Sequence, residues 1–213
     1  MILEVAMIDE QHNPWQITAE KEVYSNPWIQ LTEYQVLNPN GNPGIYGKVH
    51  FKNLAIGIVA FDEHEQLWLV GQYRFPLNAY SWELPEGGGP LTADPLASAQ
   101  RELLEETGCT AEHWQELLRL HLSNSVSDEL AIVYVARGLT QFEPEPEDTE
   151  QLQRKKVSLD EAYALVKSGA ITDAITVAAI QAVVLERLGA GKGGVYISTQ
   201  PPAPNPSPQA AAI

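Results

Sequence analysis

Cysteine is all but absent: Cys109 stands alone, which excludes an internal disulfide and any cysteine-built metal cluster and removes any need for an oxidising compartment. Basic residues are scarce as well. The 213 residues hold 13 Lys and Arg against 28 Asp and Glu, a formal net charge of −15, and such a surface repels phosphate backbones and anionic bilayers. Neither nucleic acid nor membrane is an expected partner. Long apolar runs are missing too, since the most apolar stretch, Ala174 to Leu185, is 12 residues long and broken by Thr176 and Gln181, too short to span a bilayer. Residues 1–10 carry Glu4, Asp9 and Glu10 and no basic residue, unlike the positively charged start of a secretory signal, so a cytoplasmic protein is expected. What is present is an ordinary globular composition, 44% hydrophobic and 19% charged, enough to build a core.

Turn formers punctuate the chain. Gln16–Val23 and Trp28–Leu37 read as short strands split by Ser25-Asn26-Pro27, and residues 38–44, Asn-Pro-Asn-Gly-Asn-Pro-Gly, form a dense break. This front section is expected to be a small sheet with little core of its own. Ala55–Phe61 and Gln66–Tyr73 are buried-strand candidates joined by Asp62-Glu63-His64-Glu65, and together they suggest a hairpin. The strand pattern returns between Leu117 and Ala136. Three helices are marked by their ends. One is capped by Thr92 or Asp94, opens on Pro95 and stops at Gly108. A second starts at the capping box Ser158-Leu159-Asp160-Glu161 and ends at Ser168-Gly169, and a third runs from Asp173 to Leu188 with Gly189 as its stop. Beyond Gly189, glycine and then proline dominate, a composition that reads as a flexible tail.

The first of these helices is the informative one. At about 100° per residue, Leu96, Ala99 and Leu103 share one arc with Leu104 at its margin, while Glu102, Glu105 and Glu106 share another with Ser98. The second arc is electrostatically awkward. Glu102 and Glu106 are a like-charged i, i+4 pair, costing roughly 0.2–0.5 kcal/mol, and Glu105 and Glu106 sit in the last turn, where the helix dipole disfavours anions. Two readings follow: solvated glutamates on an amphipathic helix, or oxygen ligands for a hard divalent cation such as Mg²⁺ or Mn²⁺. A glycine-rich turn, Gly87-Gly88-Gly89, precedes the helix, and Arg101, one turn before Glu105, is placed to hold that carboxylate.

Gly87, Arg101, Glu102, Leu103, Glu105, Glu106, Gly108 and Cys109 fall on the spacing G-x5-E-x7-R-E-U-x-E-E-x-G-U, with U apolar, and the segment resembles the signature of the Nudix hydrolases; Ala93 stands where that signature has glutamate. Over residues 15–187 the chain is similar to the ADP-ribose pyrophosphatase branch, through Gln72-Tyr73-Arg74, Glu83-Leu84-Pro85-Glu86-Gly87 and the closing stretches 159–162 and 171–176. The resemblance implies an α/β/α sandwich with a mixed sheet behind a small antiparallel β-extension. The extension would occupy residues 1–50, the hydrolase domain 51–189 and the tail 190–213. It implies Mg²⁺-dependent hydrolysis (Mn²⁺ as alternative) of the pyrophosphate bond of ADP-ribose or a similar nucleotide sugar, to AMP and a sugar phosphate, in a homodimer. The alternatives are another nucleoside diphosphate derivative (GDP-mannose, NADH or FAD) and a non-catalytic nucleotide-binding regulator of the same fold.

Roles carried over from the family fall on named positions. Glu102 and Glu106 are first-choice metal ligands, Glu105 the third, and Glu86 offers its main-chain carbonyl; Arg101 and Glu105 also belong to the catalytic set. The general base is expected in the acidic stretch Phe142–Glu150, at Glu150 or Asp148, with Glu147 as rival. Arg74, Glu83 and Glu129 are substrate contacts, Gly87 and Gly88 form the phosphate loop, and Trp28, or Trp15, is a candidate for the adenine.

Competing signals do not hold. Gly189-x-Gly191-x-x-Gly194 follows a helix and precedes prolines, not the strand-to-helix setting of a dinucleotide fingerprint. Gly87-Gly88-Gly89 lacks the Lys of a P-loop, no G-x-S-x-G elbow exists, and the five histidines show no zinc spacing. Cys109 fills an apolar position past a helix end and reads as a packed thiol.

Overall fold

The computed structural model describes residues 12–142 and 152–189. The expected tail, the acids Glu147, Asp148 and Glu150, and Gly191 and Gly194 of the glycine triplet lie outside them. Among the described residues no helix is long and apolar enough to cross a membrane.

Three strands open the chain. β1 (Gln16–Ser25), β2 (Ile29–Leu37) and β3 (Pro43–Phe51) make an antiparallel meander in which β1 is exposed along its whole length and only Thr32 and Val36 are buried. The sheet therefore leans on the rest of the molecule. Val49 of β3 exchanges backbone bonds with the loop 123–128, donating to Val126 O at 2.8 Å and accepting from the Asp128 amide at 3.2 Å. Asp128 anchors the joint, accepting from the Phe51 amide at 3.0 Å and meeting His50 at 2.8 Å and Lys48 at 3.1 Å.

Behind this extension, β7 (Glu86–Pro90), β4 (Asn53–Ala60), β9 (Leu130–Gln141) and β8 (Cys109–His121) form a mixed sheet in the order β7-β4-β9-β8, with β4 and β9 parallel. A second sheet, β10-β5-β6, is built from β5 (Gln66–Arg74), β6 (Ala79–Glu83) and β10 (Gln153–Ser158). Side chains alternate across the mixed sheet as strand geometry requires. Ile56, Ile58 and Ala60 of β4 with Ile132, Tyr134 and Ala136 of β9 face α1 (Pro95–Thr107) and its Ala99 and Leu103. Val59 and Val133 face the other way, into a core shared with Leu67, Leu69, α2 (Leu159–Ser168) and α3 (Ala174–Gly189). Helices thus cover both faces, giving the α/β/α sandwich.

Three expectations are corrected. Ala55–Phe61 and Gln66–Tyr73 are not a hairpin: β4 and β5 meet at one bridge, Phe61–Leu67, and then enter different sheets. Each is apolar on both faces because each runs through the middle of its own sheet, and burial alone does not say beside which partner. Gly87-Gly88-Gly89 is not a turn but lies in β7, paired with Ile56, Ala55 and Leu54. β8 begins at Cys109, well before Leu117, because its first half is a largely exposed strand at the sheet edge and carries no apolar signature.

Candidate active site

α1 is built as its ends suggest. Asp94, not Thr92, is the cap: its Oδ1 accepts from the Leu96 amide at 3.0 Å, Pro95 fills the first position, and Gly108 closes the helix at φ 73° with its amide on Leu104 O at 2.8 Å. Ala93 is used in the turn before it, its amide donating to Pro90 O at 3.0 Å. Ala99 and Leu103 are buried in the core and Leu96 packs against it. That anchoring turns the carboxylate face onto β7 and the segment Glu83–Gly87.

Glu102 and Glu106 are not solvated. Glu106 is fully buried and Glu102 is 8% exposed, which decides against the surface-helix reading, since buried carboxylates persist only with partners. Glu106 Oε2 accepts from the Glu86 amide at 2.8 Å. Arg101 bridges the helix to the strand, its Nη2 donating to Glu102 Oε1 at 2.6 Å and to Gly88 O at 2.8 Å, its Nη1 to Glu105 Oε2 at 2.6 Å. Burial would lower the Arg101 pKa, but Glu102 and Glu105 outweigh it and keep the guanidinium charged.

The segment leading into β7 is pinned from several sides. The Leu84 amide donates to Thr176 Oγ1 at 2.9 Å, and Pro85 O accepts from the Ile58 amide at 2.9 Å. Glu83, 2% exposed, takes a forked pair of bonds from Arg74, with Nη2 at 2.5 Å, and the same Nη2 reaches Glu86 Oε1 at 2.9 Å. Against the pull of burial, these carboxylates raise the Arg74 pKa.

The carboxylates of Glu83, Glu86, Glu102, Glu105, Glu106 and Asp173 outnumber the guanidiniums of Arg74, Arg101 and Arg154 that touch this region. Oxygens of Glu83, Glu86 and Asp173 all lie within 4.8 Å of one another. Burial, with Asp173 and Glu83 beside it, holds the Glu86 carboxyl well above the ordinary carboxylate range despite Arg74, and its Oε2 is buried with no partner among the described residues. An excess of crowded, hard oxygen donors with an orphaned carboxylate oxygen has the chemistry of a divalent-cation site.

The structure therefore brings together Arg74, Glu83, Glu86, Gly87, Gly88, Arg101, Glu102, Glu105 and Glu106. Glu129 and Trp28 are not tied into this hydrogen-bond network. Glu129 is half-buried on the loop into β9, its pKa raised by burial, and Trp28 is 65% exposed at the β1–β2 turn; neither is hydrogen-bonded to the cluster among the described residues. Trp15 packs edge-on against Tyr46 within the extension. Two further members carry no signature in the sequence. Asp173 reads as the start of α3, and it does accept from the Thr176 amide at 2.7 Å, but its approach to Glu86 is a long-range contact with no local signal. Arg154 lies on β10, a strand with no motif to mark it, and its Nε donates to Glu106 O.

The NUDIX domain family matches residues 51–179, and the N-terminal domain of nucleoside diphosphate sugar hydrolases matches residues 15–49. A methanol dehydrogenase activator of Bacillus methanolicus is 31% identical over 168 residues, 78% of this chain and 90% of that protein. An ADP-ribose pyrophosphatase of Bacillus subtilis is 31% identical over 165 residues, 76% of this chain and 89% of that protein. Among solved structures, an ADP compounds hydrolase shares the fold with a TM-score of 0.74, covering 85% of this chain and 97% of that one at 21% identity.

Proposed function

The chain belongs to the NUDIX family, as an ADP-ribose pyrophosphatase-like hydrolase, and from that membership we propose that it hydrolyses the pyrophosphate bond of ADP-ribose or a similar nucleotide sugar with a divalent cation, Mg²⁺ first and Mn²⁺ as substitute. The single observation that carries this reading is the burial of Glu102 and Glu106 face to face with the Glu86–Gly88 backbone. Acids crowd this wall beyond the guanidiniums that touch it, and a cation-dependent reaction accounts for their retention.

Glu102 and Glu106 would hold the cation, with Glu105 and the main-chain carbonyl of Glu86. Such a cation neutralises charge on the diphosphate and on the phosphate that leaves. Arg101 orients Glu102 and Glu105. Arg74, a third exposed, turns its guanidinium to phosphate or ribose, while Glu83 locks it in place. Gly87 and Gly88 put bare backbone beside the diphosphate. An acid at Glu150, Asp148 or Glu147 takes the proton from the attacking water, a P–O bond of the anhydride breaks, and the products are AMP, or the corresponding nucleoside monophosphate, and a sugar phosphate. Glu129 addresses the terminal ribose. Trp28 or Trp15 serves the base, from a homodimer formed through the extension, whose Trp15, Tyr24, Trp28 and Tyr46 are exposed. The enzyme would work in the cytoplasm, with no nucleic acid or membrane as partner.

The test is a hydrolysis screen of ADP-ribose, GDP-mannose, NADH and FAD, with Mg²⁺ and with EDTA, products separated by chromatography. ADP-ribose cleaved to AMP only with Mg²⁺ is the expected result. Binding of a nucleotide sugar without cleavage of any would make the chain a nucleotide-binding regulator instead. Light scattering tests the dimer.

A further inference from the structure

The last turn of α1 is tied to both strands that flank the acidic segment 143–151. Upstream, at the end of β9, the Phe142 amide donates to Gly108 O at 2.6 Å and Gln141 Nε2 donates to Thr107 O at 2.8 Å. Downstream, on β10, Arg154 Nε donates to Glu106 O. The carbonyls of Glu106, Thr107 and Gly108, which a helix end leaves without intrahelical partners, thus accept from residues on either side of the segment. Register explains why Arg154 can reach. It pairs with Val70, and Val70 pairs with Glu83, so Arg154 and Glu83 project from the same face of the sheet, the face turned to the carboxylates.

Arg154 spends its Nε on a backbone carbonyl and not on a carboxylate, and its Nη2 is buried with no partner among the described residues. What it does supply is a cation at the negative end of the α1 dipole, where Glu105 and Glu106 stand, and a fixed distance between that turn and the start of β10.

We propose that Arg154, with Gln141, is a positioning residue for the hydrolysis: together they hold the last turn of α1, and with it Glu105 and Glu106, in register with the two strand ends from which the acidic segment departs. The inference rests on the hydrolase reading above, because the acids assigned to proton abstraction lie in that segment. Arg154 does not touch substrate; it acts through the placement of the groups that do.

The experiment uses the full chain with Arg154→Ala and Arg154→Lys, read by steady-state kinetics on ADP-ribose with Mg²⁺, by added guanidinium chloride at non-denaturing concentration, and by amide hydrogen exchange. Arg154→Ala should lower kcat about 10- to 100-fold with KM changed by less than about twofold. Arg154→Lys, or guanidinium supplied to Arg154→Ala, should recover part of kcat, and the Phe142 amide should exchange faster in Arg154→Ala than in wild type. A wild-type kcat in Arg154→Ala overturns the proposal. So does a loss shared by kcat and KM that neither lysine nor guanidinium relieves, which is the mark of a merely destabilised fold. Should wild type itself cleave nothing, the hydrolase reading fails first, and unchanged Phe142 exchange in Arg154→Ala then overturns the positioning claim on its own.

Discussion

A Cβ on Gly87 would stand 2.2 Å from the carboxyl carbon of Glu102. Glycine is required there because the glutamate packs directly on the β7 backbone. The atoms in the way are the far end of a flexible side chain, so the fold can accommodate a methyl group by turning Glu102 aside. The loss then falls on the site. Gly87→Ala should keep its melting temperature within a few degrees of wild type and lose about tenfold or more in kcat/KM, with a higher Mg²⁺ concentration needed for half-maximal rate. Calorimetry and a Mg²⁺ titration of the rate check both halves.

Arg74 and Glu83 are unequal partners, a third exposed against nearly buried. Removing the arginine leaves a carboxylate in the interior with no cation of its own. Arg74→Ala should therefore cost about 2–4 kcal/mol, the lower part of that range reflecting solvent at Arg74, whereas Arg74→Met combined with Glu83→Gln should recover much of the loss. Urea denaturation of Arg74→Met, Glu83→Gln and the double variant closes the cycle and gives the coupling directly.

Asp128 ties the extension to the hydrolase domain. Burial would raise its pKa, but His50, the Phe51 amide and Lys48 outweigh that and hold it below its ordinary value of 3.8. A depressed carboxyl pKa means stability that is present above pH 3.8 and is lost as pH falls through the folded value. Asp128→Asn should thus cost about 1 kcal/mol near neutral pH, after allowance for solvent screening. The difference from wild type should shrink as the pH drops below 3.8 and vanish below the folded value, which thermal melts across an acid series can follow.

Much of this was readable from residue patterns, and the reasons are local. Asp94-Pro95 and Gly108 bound α1 because capping and a left-handed stop are properties of a few adjacent residues, and the packing face Leu96, Ala99 and Leu103 follows from helical period alone. The carboxylates of α1 were legible through the same period. What local pattern could not supply was pairing at a distance. Ala55–Phe61 looked like half of a hairpin because its apolar run carries no record of β7 and β9 as neighbours. Gly87 looked like a turn residue because glycine's usual reason is conformational, while here it is the nearness of Glu102. Asp173 and Arg154 were missed since each reaches Glu86 or Glu106 only through the folding of α3 and β10 onto the site.

Glu106, buried at the end of α1 with its Oε2 on the Glu86 amide, is the residue on which cation binding turns. Its replacement by glutamine keeps size and hydrogen bonding while removing the charge a divalent cation would need. The decisive measurement is the rate of AMP release from ADP-ribose by wild type and Glu106→Gln, each across a Mg²⁺ titration. Mg²⁺-dependent turnover is expected in wild type, with a loss of about a hundredfold or more in Glu106→Gln, roughly 3 kcal/mol or more of transition-state stabilisation. Equal rates in the two proteins, or wild-type turnover undiminished by EDTA, would contradict that role.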